Sequence, residues 1–103
     1  MAKVPSLSEI RSIVDRDYGH EFEVALHYSK RRERWYFPST DVEVDLDLLP
    51  DESVRFTVRH PAFPLPQYAV VRGARVVVVA KWLIEMIEEV VDDSVHAQLV
   101  ESV

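Results

Sequence analysis

"EFEVALHYSKRRERWYFP", Glu21 to Pro38, is the stretch on which the fold turns. Phe22, Val24, Leu26 and Tyr28 alternate with Glu21, Glu23, Ala25 and His27. That period of two predicts a half-buried strand with the first set on its apolar face. Lys30, Arg31, Arg32 and Arg34 then form a basic connection broken only by Glu33. "RWYF" opens a second strand, and Pro38 ends it because proline has no N–H for the ladder. A hairpin with a basic tip and an aromatic return strand is the expectation.

The same alternation continues downstream. Val42, Val44, Leu46 and Leu48 form one face of "DVEVDLDL", and "LPDES" comes next as a turn carrying a Pro-Asp pair. In "VRFTVR", Val54, Phe56 and Val58 point one way and Arg55, Thr57 and Arg59 the other. "HPAFPLPQ" carries three prolines and predicts an extended loop. "QYAVV" before "RG" is left open as a short strand ending in a turn. Upstream, Ser6 and Glu9 have capping-box spacing, Leu7, Ile10, Val14 and Tyr18 recur at helical spacing, and Gly19 suits the left-handed closing position. These signals predict a helix over about 6–18. A long helix is predicted from about Lys81, while Val76–Val79 favour a strand yet stand in helical register with the segment after Lys81.

The expected fold is therefore α+β: a small four-stranded antiparallel sheet with an N-terminal helix and a long C-terminal helix, the helices covering its apolar face. One domain spans 1–103, with a sheet-centred part at 1–79 and the helix at 80–103, as the length suggests.

Composition narrows the chemistry. There is no cysteine, which removes disulfides, thiolate metal sites and thiol nucleophiles. The four histidines are scattered without an i,i+4 pair, so no zinc site or other cofactor is expected. Gly19 and Gly73 stand alone, giving no phosphate-cradling loop, and no serine sits in a nucleophile elbow. His60 beside Arg59 is the best single acid–base candidate, and the expectation is that the protein is not an enzyme. No apolar run follows Lys3 and none is long enough for a bilayer, so a cytoplasmic protein without membrane contact is expected.

The formal charge is -6, yet it is segregated. Residues 53–81 hold Arg55, Arg59, Arg72, Arg75 and Lys81 and no acid, whereas 41–52 and 82–103 hold six acids each and no base. Local charge of this kind speaks to partners. Bases beside flat rings suit a single-stranded nucleic acid: the cations neutralise phosphates and the rings stack on unpaired bases. Lys30, Arg31, Arg32, Arg34, Arg55 and Arg59, with Trp35, Tyr36 and Phe37, are the candidate site. Alternation places Trp35 and Phe37 on one face and Arg34 and Tyr36 on the other, so one side can line the core while the other meets a ligand. The competing expectation is cross-strand pairing of the arginines with Glu43, Asp45 and Asp47. Phe63 and Tyr68, held by the prolines, read equally as a second wall of a cleft or as part of a lid.

The order of a basic run, Trp-Tyr-Phe-Pro on the second strand and a long apolar C-terminal helix resembles ThermoDBP and its related proteins, the single-stranded DNA-binding family of hyperthermophilic archaea. The resemblance spans most of the chain as an ordered plan, and its specific part is Arg31 to Pro38. It implies a small antiparallel sheet and helices framing a basic-edged apolar cleft, binding to single strands with little sequence preference in replication or repair, and dimerisation through the C-terminal helices. By position it implies phosphate contacts from Arg31, Arg32 and Arg34, and a cleft lined by Trp35, Tyr36 and Phe37. A cysteine-free chain with abundant valine, and arginine in excess of lysine, is compatible with a thermophile. The helical ridge Ile87, Val91, Val95 and Leu99, widened by Leu83 and Val90, is the expected homodimer contact. Single-stranded DNA is the expected partner, with RNA open. The alternatives are a homodimeric protein-interaction module and a double-stranded RNA-binding module, although here the C-terminal helix is acidic after Lys81.

Overall fold

In a computed structural model, which describes residues 5–101 and their side chains through residue 97, the chain runs α1 (Leu7–Tyr18), β1 (Glu23–Ser29), β2 (Arg32–Phe37), β3 (Val42–Leu48), β4 (Val54–Arg59), β5 (Gln67–Val71) and α2 (Val76–Glu101). The five strands form one antiparallel meander in chain order. This corrects the expected count of four. Gln67–Val71 pairs in full register with β4, from Val58↔Gln67 to Val54↔Val71, although only Val71 is buried. A short, mostly exposed edge strand has too weak an alternation to declare itself.

Both helices lie on one face of the sheet. Trp35, Phe37, Val42, Val44, Leu46, Val54, Phe56 and Val58 meet Ile10 and Val14 of α1 and Val79, Ala80, Leu83, Ile87 and Val90 of α2 in a single core. Burying each such aliphatic or phenyl side chain contributes about 1.5–3 kcal/mol. The ends of α1 match the sequence: the Ser6 hydroxyl accepts from Glu9 N at 3.2 Å, and Gly19 closes the helix at φ 73°. Helix α2 starts at Val76. Four consecutive β-branched residues are poor helix formers, but burying Val79 and Ala80 in line with Leu83 and Ile87 overrides the local preference.

Strand β1 departs from its predicted role. Every residue in it is exposed, and its pairing with β2 shifts between Val24 and Leu26 and again between His27 and Ser29. The first shift sets Leu26 opposite Arg34, on the face away from the helices, instead of continuing the face of Val24. Alternation therefore breaks inside the strand, and Leu26 and Tyr28 do not join the core.

Under β1 lies a buried carboxylate. Glu33, 1% exposed, accepts from the Trp35 indole Nε1 at 3.0 Å, is paired with His27 Nδ1 at 2.9 Å, and faces Arg11 Nε at 3.2 Å. One acid thus ties α1, β1 and β2 together, and the indole N–H has its partner inside the core.

Candidate nucleic-acid interface

Among the described residues, nothing covers the face of the sheet opposite the helices. Strand alternation and register bring Arg32, Arg34 and Tyr36 of β2, Glu43, Asp45 and Asp47 of β3, Arg55, Thr57 and Arg59 of β4, and Tyr68 and Val70 of β5 onto it. Tyr28 joins them through its ring, over which the Arg32 guanidinium lies at 4.6 Å. A groove of about 510 Å³ crosses this face between Arg32, Arg55, Thr57, Arg59, Pro66 and Tyr68, with Asp45 and Asp47 as its floor. Tyr68 is 70% exposed and Tyr28 48%.

The arginines are largely engaged within the sheet. Arg34 Nε donates to Asp45 Oδ1 at 2.8 Å, and Arg59 Nε reaches the other oxygen at 3.5 Å. Arg55 Nη2 donates to Asp47 Oδ2 at 2.8 Å. The hydrogen bond and charge of Asp45 push the Arg34 pKa above its ordinary value. The Tyr36 phenol donates to Asp41 at 2.8 Å, which raises its pKa, chiefly through that hydrogen bond. Cross-strand pairing thus won over a free basic patch at Arg34, Arg55 and Arg59.

The hairpin tip differs. Arg31 uses its guanidinium on the backbone carbonyls of Leu48 and Leu49, both at 3.2 Å, and so keeps its charge uncompensated. Lys30 and Arg32 make no ion pair among the described residues, and both are exposed. Three positive charges therefore stand at one end of the groove.

Two groups of the expected site lie elsewhere. Trp35 and Phe37 are fully buried, packed with Phe22 at ring distances of 4.8 and 4.9 Å. This corrects their assignment as cleft-lining rings: they face the helices, and a base could reach them only by opening the core. Leu83, Ile87 and Val90 are likewise buried against the chain's own sheet, which corrects their assignment to a dimer contact. Val91 is half-buried on that core, Val95 is 51% exposed, and Leu99 falls outside the described side chains.

At the far end of the groove the proline loop forms a second hollow of about 280 Å³, lined by Asp41, Glu43, Arg59, His60, Phe63 and three prolines. The sequence marks Phe63 and Tyr68 as wall or lid and Glu43 only as a cross-strand partner for the arginines; nothing in it places Glu43 and Asp41 beside the loop, because that approach depends on the β2–β3 turn, where Asp41 takes φ 57°. Among the described residues no cluster of acids and histidines is placed to hold a metal ion, and no helix is long and apolar enough to cross a membrane. Comparison with known proteins gives no matching family model, no matching curated protein and no matching solved structure.

Proposed function

We propose that the protein binds single-stranded nucleic acid, DNA in the first instance, along the open face of its sheet. The observation that carries this reading is the uncovered groove, with exposed Tyr28 and Tyr68 rings beside arginines and an uncompensated basic tip at Lys30, Arg31 and Arg32. The resemblance of Arg31–Pro38 to the ThermoDBP family points the same way. The rings replace Trp35 and Phe37 as the stacking groups. The phosphates meet the tip first, and Arg32 serves both as cation and as a plane stacked on Tyr28.

The balance of charge sets the strength. On this face Arg34 and Arg59 pair with Asp45 and Arg55 with Asp47, so only about two or three cations, those of the tip at Lys30, Arg31 and Arg32, are free to displace counterions. For single strands that gives a log–log salt slope of about -1.4 to -2.1. A duplex, denser in charge and with its base faces hidden, is disfavoured by the chain's overall -6. Fluorescence anisotropy with a labelled oligothymidylate tests this: Tyr28→Ala and Tyr68→Ala should each weaken binding by roughly 1–3 kcal/mol while leaving the fold intact, since both rings are exposed. Parent-like affinity in both variants would remove the reading.

One observation favours a second reading. The paired arginines and aspartates make the face a neutral mosaic, a surface suited to a polypeptide partner, including a second copy of the chain. In that case the oligonucleotide would not bind, and sedimentation equilibrium of the protein alone would report a dimer.

A further inference from the structure

The hollow under the proline loop shares Arg59 and Pro66 with the groove, so the two adjoin. At about 280 Å³ it falls just below the usual range of ligand pockets, roughly 300–1,000 Å³, and suits one ring system better than an extended chain. Its chemistry is specific. Glu43 has no hydrogen bond or ion pair among the described residues and is only half-exposed. Asp41 already accepts from Tyr36. His60 Nδ1 accepts from the Ala62 backbone N–H at 3.0 Å, which in the neutral ring leaves Nε2–H as a donor. The Phe63 ring lies 5.9 Å from the His60 ring and offers an aromatic wall.

We infer that this hollow is a base pocket selective for one unpaired guanine of the bound strand; the inference rests on the strand-binding reading above. Guanine alone among the bases places two N–H donors side by side, N1–H and N2–H, next to the acceptor O6. A carboxylate accepts the pair as a fork, so Glu43 matches the two donors and His60 Nε2–H matches O6. Adenine and cytosine each set an amino group beside an acceptor, and thymine sets one N–H between two acceptors, so each would bring a lone pair against Glu43. Phe63 supplies the stacking surface, as rings do for splayed bases. Arg59, opposite Glu43 in the β3–β4 register and at the junction with the groove, is placed for the adjoining phosphate.

The test uses labelled decamers of thymidylate in which one residue is replaced in turn by guanine, adenine or cytosine, titrated against the parent and against Glu43→Gln. The substitution is isosteric at a half-exposed position, and glutamine offers one acceptor and one donor where guanine needs two acceptors. The parent should bind the guanine decamer roughly five- to tenfold tighter than the all-thymine one, the lower end for a bidentate contact. In Glu43→Gln that ratio should fall to about one. Titration of the parent with guanosine monophosphate should in addition move the Phe63 ring resonances, and adenosine monophosphate should move them less. Equal binding of all four decamers overturns the pocket and leaves strand binding standing. A ratio that survives Glu43→Gln also overturns it, as does a preference for adenine or cytosine. Failure of every decamer to bind overturns both readings.

Discussion

Glu33→Gln isolates the buried network that joins α1 to the sheet. The substitution keeps the volume of the side chain and one oxygen for the Trp35 indole, now 3.0 Å from Oε1. It removes the charge that faces Arg11 at 3.2 Å and His27 at 2.9 Å, and turns an NH2 group toward one of them. Hydrogen bonds to charged groups contribute about 1.5–3 kcal/mol each, and one buried ionic partner removed outright costs about 3–5 kcal/mol. The His27 side chain is 59% accessible, so solvent recovers much of its share, whereas Arg11 is 38% accessible overall but its Nε is buried and recovers less. About 2 kcal/mol is therefore expected, which for a domain of this size lowers Tm by roughly 10 °C. Glu33→Ala should cost more, about 3–4 kcal/mol, because it adds a void and leaves the indole N–H buried without a partner. Urea unfolding followed by circular dichroism measures both, with the slope m checked against the parent. A Glu33→Gln protein within about 0.5 kcal/mol of the parent, the usual range of a surface change, would refute the claim that this carboxylate organises the junction.

Gly19→Ala should destabilise by about 1 kcal/mol through backbone strain alone, since φ is 73° and nothing lies near the added Cβ; thermal melts read it directly. Ser6→Ala should cost a similar amount, about 1 kcal/mol, through loss of the cap on α1. Phe56→Ala, at the centre of the core, should cost about 3–5 kcal/mol by denaturant titration. The Asp51 carboxyl is held below its ordinary value, first by the Ser53 hydroxyl and then by the Ser53 backbone N–H, with Arg72 adding to it. A depressed folded value means the contribution is complete above the ordinary 3.8 and is lost as pH falls below it through the folded value. Ser53→Ala should move the Asp51 titration back up toward that ordinary value in an NMR pH series.

Much of the architecture was legible because it rests on local periodicity. The capping serine and Gly19 bounded α1, and the alternations in 34–37, Val42–Leu48 and Val54–Arg59 assigned each side chain to its observed face, whereas Arg32 and Glu33, read as part of the basic connection, belong to β2. What escaped depends on non-local geometry. The register shift after Val24 turned Leu26 and Tyr28 away from the core, and no feature of "EFEVALHY" announces it. The start of α2 among valines was decided by burial of Val79 and Ala80. The candidate site was half legible. The basic tip and the split of Tyr36 from Trp35 and Phe37 came from alternation. Cross-strand pairing of the arginines with Glu43, Asp45 and Asp47 is a competing expectation of the sequence, but the sharing of a single Asp45 by Arg34 and Arg59 depends on which strands stand side by side.

The most direct test of strand binding along the open face is a 15N–1H chemical-shift titration of the full chain with unlabelled oligothymidylate at low salt. Shifts are expected at Tyr28, Lys30, Arg32, Arg55, Thr57, Arg59 and Tyr68, fading as salt is raised, with the amides of α1 and the exposed side of α2 unmoved. Shifts confined to the helical side, or none at millimolar oligonucleotide, would contradict strand binding on this face.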